Sequence, residues 1–502
     1  MFVPFVRSKM EIQFVRFASC VSLIAAMLFI SCNQNSQVIV DPKPKSTGEY
    51  STTIQPIFDR SCGSSSCHSG GPNGFAGALD LTSYEGLLRG SKYGTVVVPG
   101  SPFMSHLVQS INPSDTTLSP VSSVQMPASR DPLPQGDIQT IVRWVKNGAR
   151  NDNGELPFPE PRPAGKVFFT NQSVDLVGVL DRSTNLIMRY VTVGQPLPVT
   201  TVVDAPHNVI IDEQGRYFYV TLLRGNKLKK YDAVTMQLVG EVSVGSSPAH
   251  VVVSADGSKA YVTNFDPNIG RVYAVNTTSM IVSKTILALP YMKLGHGARL
   301  SHDGRYLFVC NTGTDLITVI QTANDSAVAH IPVAPNVPPF GSSIYTPYQV
   351  AVRNDDRFIY ATLYGRGLVC VIERNGDVFT FRDTIRVGTR PIQCEVTRDQ
   401  RYLYVCNQGS GNVSVIDAQT NRFLMNIENV GTGPHGVDIS EDSRTAYVTC
   451  ENVRGEPPHH PVKGSTDPGF LVLIDVGTQS VIKRIEVGGF AAGVAVFPGK
   501  GN

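Results

Sequence analysis

Two cysteines and a histidine carry the first recognisable chemistry of this 502-residue chain: Cys62, Cys67 and His68, in the stretch CGSSSCHSG. Paired thiols followed at once by an imidazole have the composition of a c-type haem attachment site, usually spaced C-x-x-C-H. Here four residues separate the sulfurs. The same residues also read as a disulfide beside an unrelated histidine, which an oxidising compartment permits. A zinc knuckle is the third reading; it needs four ligands, and the extra donor nearby is His106.

A second set of ligand-type residues lies further on. His207, His250, His296 and His435 stand in APHNV, PAHVV, GHGAR and PHGVD, and His459 and His460 in the insertion ENVRGEPPHHPVKGSTDPG. Imidazoles contributed by several elements suit copper, iron or zinc. They equally suit a wet channel wall, because Tyr348, Gln349, Gln393 and Ala492 occupy the matching positions elsewhere. The chain has neither a G-x-S-x-G nucleophile elbow nor a phosphate-binding glycine loop.

The elements that must position these histidines repeat. FFTN at Phe168, YVTL at Tyr219, YVTN at Tyr261, FVCN at Phe308, YATL at Tyr360, YVCN at Tyr404 and YVTC at Tyr447 are seven copies of one motif, 42 to 52 residues apart. Most follow a polar turn such as SADGS or SHDGR, where Asp and Gly supply tight-turn geometry. An alternating strand precedes each turn, and two more follow the motif. Four short strands per repeat, seven times over, predict a seven-bladed β-propeller. The first copy lacks an innermost strand before it, and FAAGVAVFP near the end is an innermost strand with nothing after it. The end of the chain is therefore expected to complete the first blade. The four single histidines then fall near the starts of innermost strands, on the same mouth of the channel as the loop carrying His459 and His460. The motif resembles that of the YVTN family of seven-bladed propellers, found in surface-layer and other exported bacterial proteins, over residues 165–498.

Residues 50–151 read differently. STTIQPIFDRSC suits a helix leading into the cysteines, and GDIQTIVRWVKNGA places Ile138, Ile141, Val142 and Val145 at helical spacing. The rest is rich in Gly, Pro and Ser, a composition that a porphyrin-filled core permits in so short a segment. CGSSSCH, GALDLTSYEGLLRG, VVVPGSPFMSHLVQSI, QMP and LPQGDIQTIVRWVKNGA resemble, in that order, the planctomycete-type c-type cytochrome domain, which shares the wide C-x4-C-H spacing. The resemblance implies one covalent haem c, with thioethers at Cys62 and Cys67 and His68 as an axial iron ligand. Met126, in QMP, is the matching sixth ligand, with His106 and Met104 as rivals. Met/His ligation raises a haem potential.

Arg7, Lys9 and Arg16 precede the apolar run FASCVSLIAAMLFIS, which reads as a secretory signal over residues 1–31. FISC followed by Asn33 resembles a bacterial lipoprotein box with Cys32 as the lipidated residue. Residues 32–49 read as a flexible tether and 152–164 as a Pro-rich linker. About 13 linker residues reach roughly 40 Å, which lets the haem segment rest on either face of the propeller. A net charge of +2 gives no reason to expect a nucleic-acid partner.

The expectation is thus a cell-envelope lipoprotein, periplasmic or anchored in the outer membrane: a mono-haem electron carrier whose propeller docks a redox partner protein. One alternative is a redox enzyme with a second haem or a copper ion at the histidine-rich mouth. Another is a cell-surface binding scaffold.

Overall fold

The computed structural model describes residues 48–63, 67–69, 77–112, 125–128, 130–158, 163–196, 202–268, 270–338, 342–456 and 468–497. The expected signal over residues 1–31, Cys32, most of the expected tether, His459 and His460 lie outside the described residues. No described helix is long and apolar enough to cross a membrane.

Among the described residues, twenty-eight strands form seven four-stranded antiparallel sheets, the blades of a propeller. In blades 1 to 7 the inner strands are Ala491–Val496, Pro206–Ile211, Pro248–Val253, Gly295–Leu300, Pro347–Val352, Pro391–Val396 and Pro434–Ile439. Each packs beside the next, and the ring closes. As expected, Ala491–Val496 from the end of the chain completes blade 1, pairing Val496 with Val167 and Val494 with Phe169.

The repeated motif binds each blade to its neighbour. Its valines are core. Its tyrosine reaches the outer hairpin of the following blade: Tyr360 Oη donates to Asn421 Oδ1 at 2.7 Å, and Tyr404 Oη to Gln479 Oε1 at 2.7 Å. Its threonine works at the channel end. Thr221 Oγ1 accepts from Asn208 N in its own blade at 3.1 Å and donates to Ala249 O of the next blade at 2.7 Å. Thr170, Thr263, Thr362 and Thr449 repeat this bridge. Cys310 and Cys406 stand in its place in the other two blades.

Residues 50–151 build a core of their own. Tyr50–Ile54 is one π-helical turn that runs into the helix Gln55–Ser61. The helix Gln135–Lys146 buries Ile138, Ile141, Val142 and Val145, and also Trp144. Tyr50, Tyr84 and Trp144 pack ring to ring, with the Tyr50 centroid 5.0 Å from Tyr84 and 5.5 Å from Trp144. These three aromatic rings supply apolar bulk to this core.

This segment rests on neither face of the propeller but on its rim. Val98 is buried among Ile187 of blade 1 and Ile485 and Val487 of blade 7. Ile187 N, on the outer edge of blade 1, donates to Thr95 Oγ1 at 2.6 Å. An edge strand leaves such donors unpaired, and here a loop covers them.

Candidate functional site

The first candidate site is the loop from Cys62 to His68. Cys62 caps the helix Gln55–Ser61, its N–H bonded to Phe58 O at 2.7 Å. His68 N donates back to Cys62 O at 3.2 Å, and Leu81 N donates to His68 O at 2.8 Å. These bonds close the wide loop and fix His68 beside its first cysteine. Neither Cys62 nor Cys67 is in a disulfide. Cys62 is buried and Cys67 half-buried. Burial pushes the Cys62 thiol up to about 11; Cys67 adds to the rise and Arg130 opposes it. Burial lowers the pKa of His68, partly offset by a hydrogen bond to the Leu79 backbone, and its Nδ1 is buried without a partner.

Met126 packs against the same core as Cys62, and its N–H is held by Ser110 O at 2.8 Å. A cavity of about 720 Å³ adjoins it, lined by Arg60, Ser61, Pro127, Arg130 and Asp131. His106 is engaged locally, its Nδ1 3.2 Å from Gln109 Oε1. Met104 ends a single 3-10 turn. Paired cysteines outside any disulfide, a buried His68 Nδ1 without a partner, and Met126 on the core that contains Cys62 fit a covalent haem.

The second candidate site is the channel. In every blade the inner strand carries a bulge that leaves its second and third residues unpaired. A left-handed residue precedes each of these strands: Phe490, Ala205, Ser247, Leu294, Thr346, Arg390 and Gly433. Bulges re-aim side chains, and His207, His250, His296 and His435 all occupy bulged positions. The motif threonines hold these bulges in place.

The four rings converge. His207 Nε2 is 3.2 Å from His296 Nε2. Ring centroids lie 5.3 Å apart for His207 and His435, and 4.8 Å for His250 and His296. Ligand atoms of His207, His250 and His296 all lie within 4.8 Å of one another. Burial first, then neighbouring imidazoles, holds His207 and His296 well below the usual histidine range; His250 falls to about 3.

Sequence reasoning missed the collar around these rings, formed by residues that follow the motif directly. Gln172 Nε2 meets His207 Nδ1 at 2.7 Å. Phe265 packs edge-on against His296. Glu451 accepts from His435 Nδ1, and its other oxygen accepts from Gln408 Nε2 at 2.9 Å. The fifth position of each repeat copy was the available signal. The remaining described cysteines, Cys310, Cys370, Cys394, Cys406 and Cys450, are buried and form no disulfide. Cys394 is paired in register with Val405, so its sulfur and that of the adjacent Cys406 lie on opposite faces of the sheet.

Residues 65–127 match the family model for planctomycete cytochrome C, a span that includes Cys67, His68 and Met126 and begins after Cys62. Residues 170–339 match the model for lactonase, 7-bladed beta-propeller. No curated protein matches the chain. Among solved structures, a functionally unknown protein from Desulfotomaculum acetoxidans DSM 771 is similar at 13% identity and TM-score 0.53, covering 67% of this chain and 100% of that one. Kuenenia stuttgartiensis hydrazine synthase is similar at 18% identity and TM-score 0.47, covering 61% and 93%. The dihydro-heme d1 dehydrogenase NirN, in complex with DHE, is similar at 14% and 0.47, covering 82% and 95%. The first of these shares the propeller fold; the other two carry no further argument. The chain therefore joins a segment matching the planctomycete cytochrome C family to a seven-bladed β-propeller.

Proposed function

We propose that the protein is an exported, lipid-anchored mono-haem c-type cytochrome that passes single electrons, with its propeller docking a redox partner protein. Cys62 and Cys67 would hold the haem by thioethers, and His68 and Met126 would be the residues that bind its iron. The observation that carries this reading is the closed Cys62–His68 loop, with both cysteines outside any disulfide and the orphaned His68 Nδ1. Haem c supplies a one-electron iron couple when bound. Met126 is favoured over Met104 and His106 because it packs on the core that contains Cys62. Arg130 lines the adjoining cavity and brings a positive charge near Cys62. The packing of Thr95 and Val98 on blades 1 and 7 holds the haem segment at the rim, leaving both propeller faces for a partner. Cys32 as the lipidated residue and residues 32–49 as a tether place the whole at an envelope membrane.

A potentiometric titration followed by visible spectroscopy tests this. One reversible, single-electron haem transition is expected. A haem that neither accepts electrons from a soluble reductant nor returns them to an oxidant overturns the carrier role.

A further inference from the structure

We infer that His207, His250 and His296, with His435 closing in as the fourth ligand, bind one copper(II) or zinc(II) ion in the propeller channel. The inference stands apart from the haem reading and uses none of its residues.

Three observations converge on it. The first is spacing. Metal–nitrogen bonds of about 2.0–2.1 Å place the nitrogens of a tetrahedral site about 3.3 Å from one another. His207 Nε2 and His296 Nε2 already stand 3.2 Å apart, and the centroids of His207 and His250 are separated by 5.6 Å.

The second is orientation. Ligating histidines characteristically give their other ring N–H to a carboxylate or carbonyl, which fixes the tautomer and raises ligand basicity. His435 gives Nδ1–H to Glu451, and His296 gives Nδ1–H to Tyr348 O at 3.2 Å. Both therefore aim an Nε2 lone pair inward. Nδ1 of His207 faces the Gln172 side-chain amide, which accepts that proton once rotated to present its oxygen. Gln349 Nε2 is 3.5 Å from His250 Nδ1, too long to fix that ring.

The third is unsatisfied polarity. Nε2 of His250 and Nε2 of His435 are buried without hydrogen-bond partners. Glu451, with its side chain 2% exposed, has no lysine or arginine partner among the described residues, only His435. A buried carboxylate without a counter-charge is costly. A divalent ion on the far nitrogen of His435 supplies that charge.

An all-imidazole donor set selects late first-row metals over magnesium or calcium. The four rings are at most 6% exposed and pack against one another, so the site admits an ion and has no room for a porphyrin between them.

The test is elemental analysis of the full-length, haem-loaded protein, stripped with chelator and dialysed separately against copper(II) and zinc(II). Iron reports the haem, so failure of the haem reading and failure of this one are distinguishable. One equivalent of copper or zinc per chain is expected beyond the iron. H296Q and H435Q are expected to lower its affinity at least 100-fold, and E451Q 10- to 100-fold. H302Q, at a surface position, is expected to change nothing. Copper EPR of the unsubstituted protein, with nitrogen superhyperfine structure, serves if the variants do not fold. No retained ion, equal retention by H296Q and H435Q, or a copper spectrum without histidine nitrogens overturns the inference.

Discussion

His207 and His296 lie 89 positions apart in the chain, yet their Nε2 atoms meet at 3.2 Å. Two threonines make that meeting possible. Thr170 Oγ1 holds His207 O at 3.0 Å, and Thr263 Oγ1 holds His296 O from the neighbouring blade. The residue that defines the repeat also fixes the channel.

Thr263→Val removes two bonds, one accepted from His250 N and one donated to His296 O. The expected loss is about 1–3 kcal/mol, since buried partners are left unsatisfied. Thr263→Ser keeps the hydroxyl and is expected to recover most of it. Urea denaturation of the three proteins checks this; equal midpoints for the Val variant and the parent contradict it.

Gly94 seats the haem segment on the rim. Its φ is +121°, and a Cβ there lies 3.1 Å from Ile485 Cγ2. Gly94→Val adds backbone strain and a clash at one point, so the contact with blade 7 is expected to open at a cost of about 1–3 kcal/mol. Faster proteolytic cleavage between residues 151 and 165 reports it. An unchanged cleavage rate argues that the seat does not depend on this approach.

Asp303 ties the turn of blade 4 to Arg374 of blade 5 and accepts from Ser301 Oγ at 2.6 Å. Burial raises its pKa, but the Arg374 and Ser301 bonds outweigh burial and hold it at about 2. A depressed folded-state pKa stabilises the fold above the ordinary carboxylate value, about 3.9. That contribution is lost as pH falls towards about 2. Asp303→Asn is expected to lower stability at pH 6 and to flatten the acid limb between pH 4 and 2. Denaturation midpoints across that window check both effects; parallel curves for the two proteins contradict the assignment.

Met126→Ala removes the proposed sulfur ligand. The haem potential is expected to fall, because Met/His ligation raises it. Potentiometry with visible spectroscopy reads the change. An unaltered potential and spectrum transfers the role to Met104 or His106.

Much of this architecture was legible in the sequence. The seven motif copies and the orphan strand FAAGVAVFP gave the blade number and the closure, because strand periodicity and turn chemistry are local signals. The inner-strand histidines could be placed for the same reason. Their bulges could not, since a bulge depends on pairing register, and neither could Glu451 or Gln172, whose partners lie in other strands or blades. The seat of the haem segment was equally hidden: it rests on Thr95, Val98 and Gly94 meeting strands nearly 100 to 400 residues away. Trp144 was passed over because helical spacing marked the neighbouring aliphatic residues and gave no sign of its stacking with Tyr50 and Tyr84.

The central claim is covalent haem at Cys62 and Cys67, and intact-mass spectrometry tests it most directly. The protein is produced in a bacterium competent for cytochrome c maturation, then denatured and treated with a thiol-alkylating reagent. The account predicts a mass increase of one haem per chain, with Cys62 and Cys67 both protected from alkylation, and loss of that increase in the C62S/C67S double variant. A chain of unmodified mass in which both thiols are alkylated would contradict it.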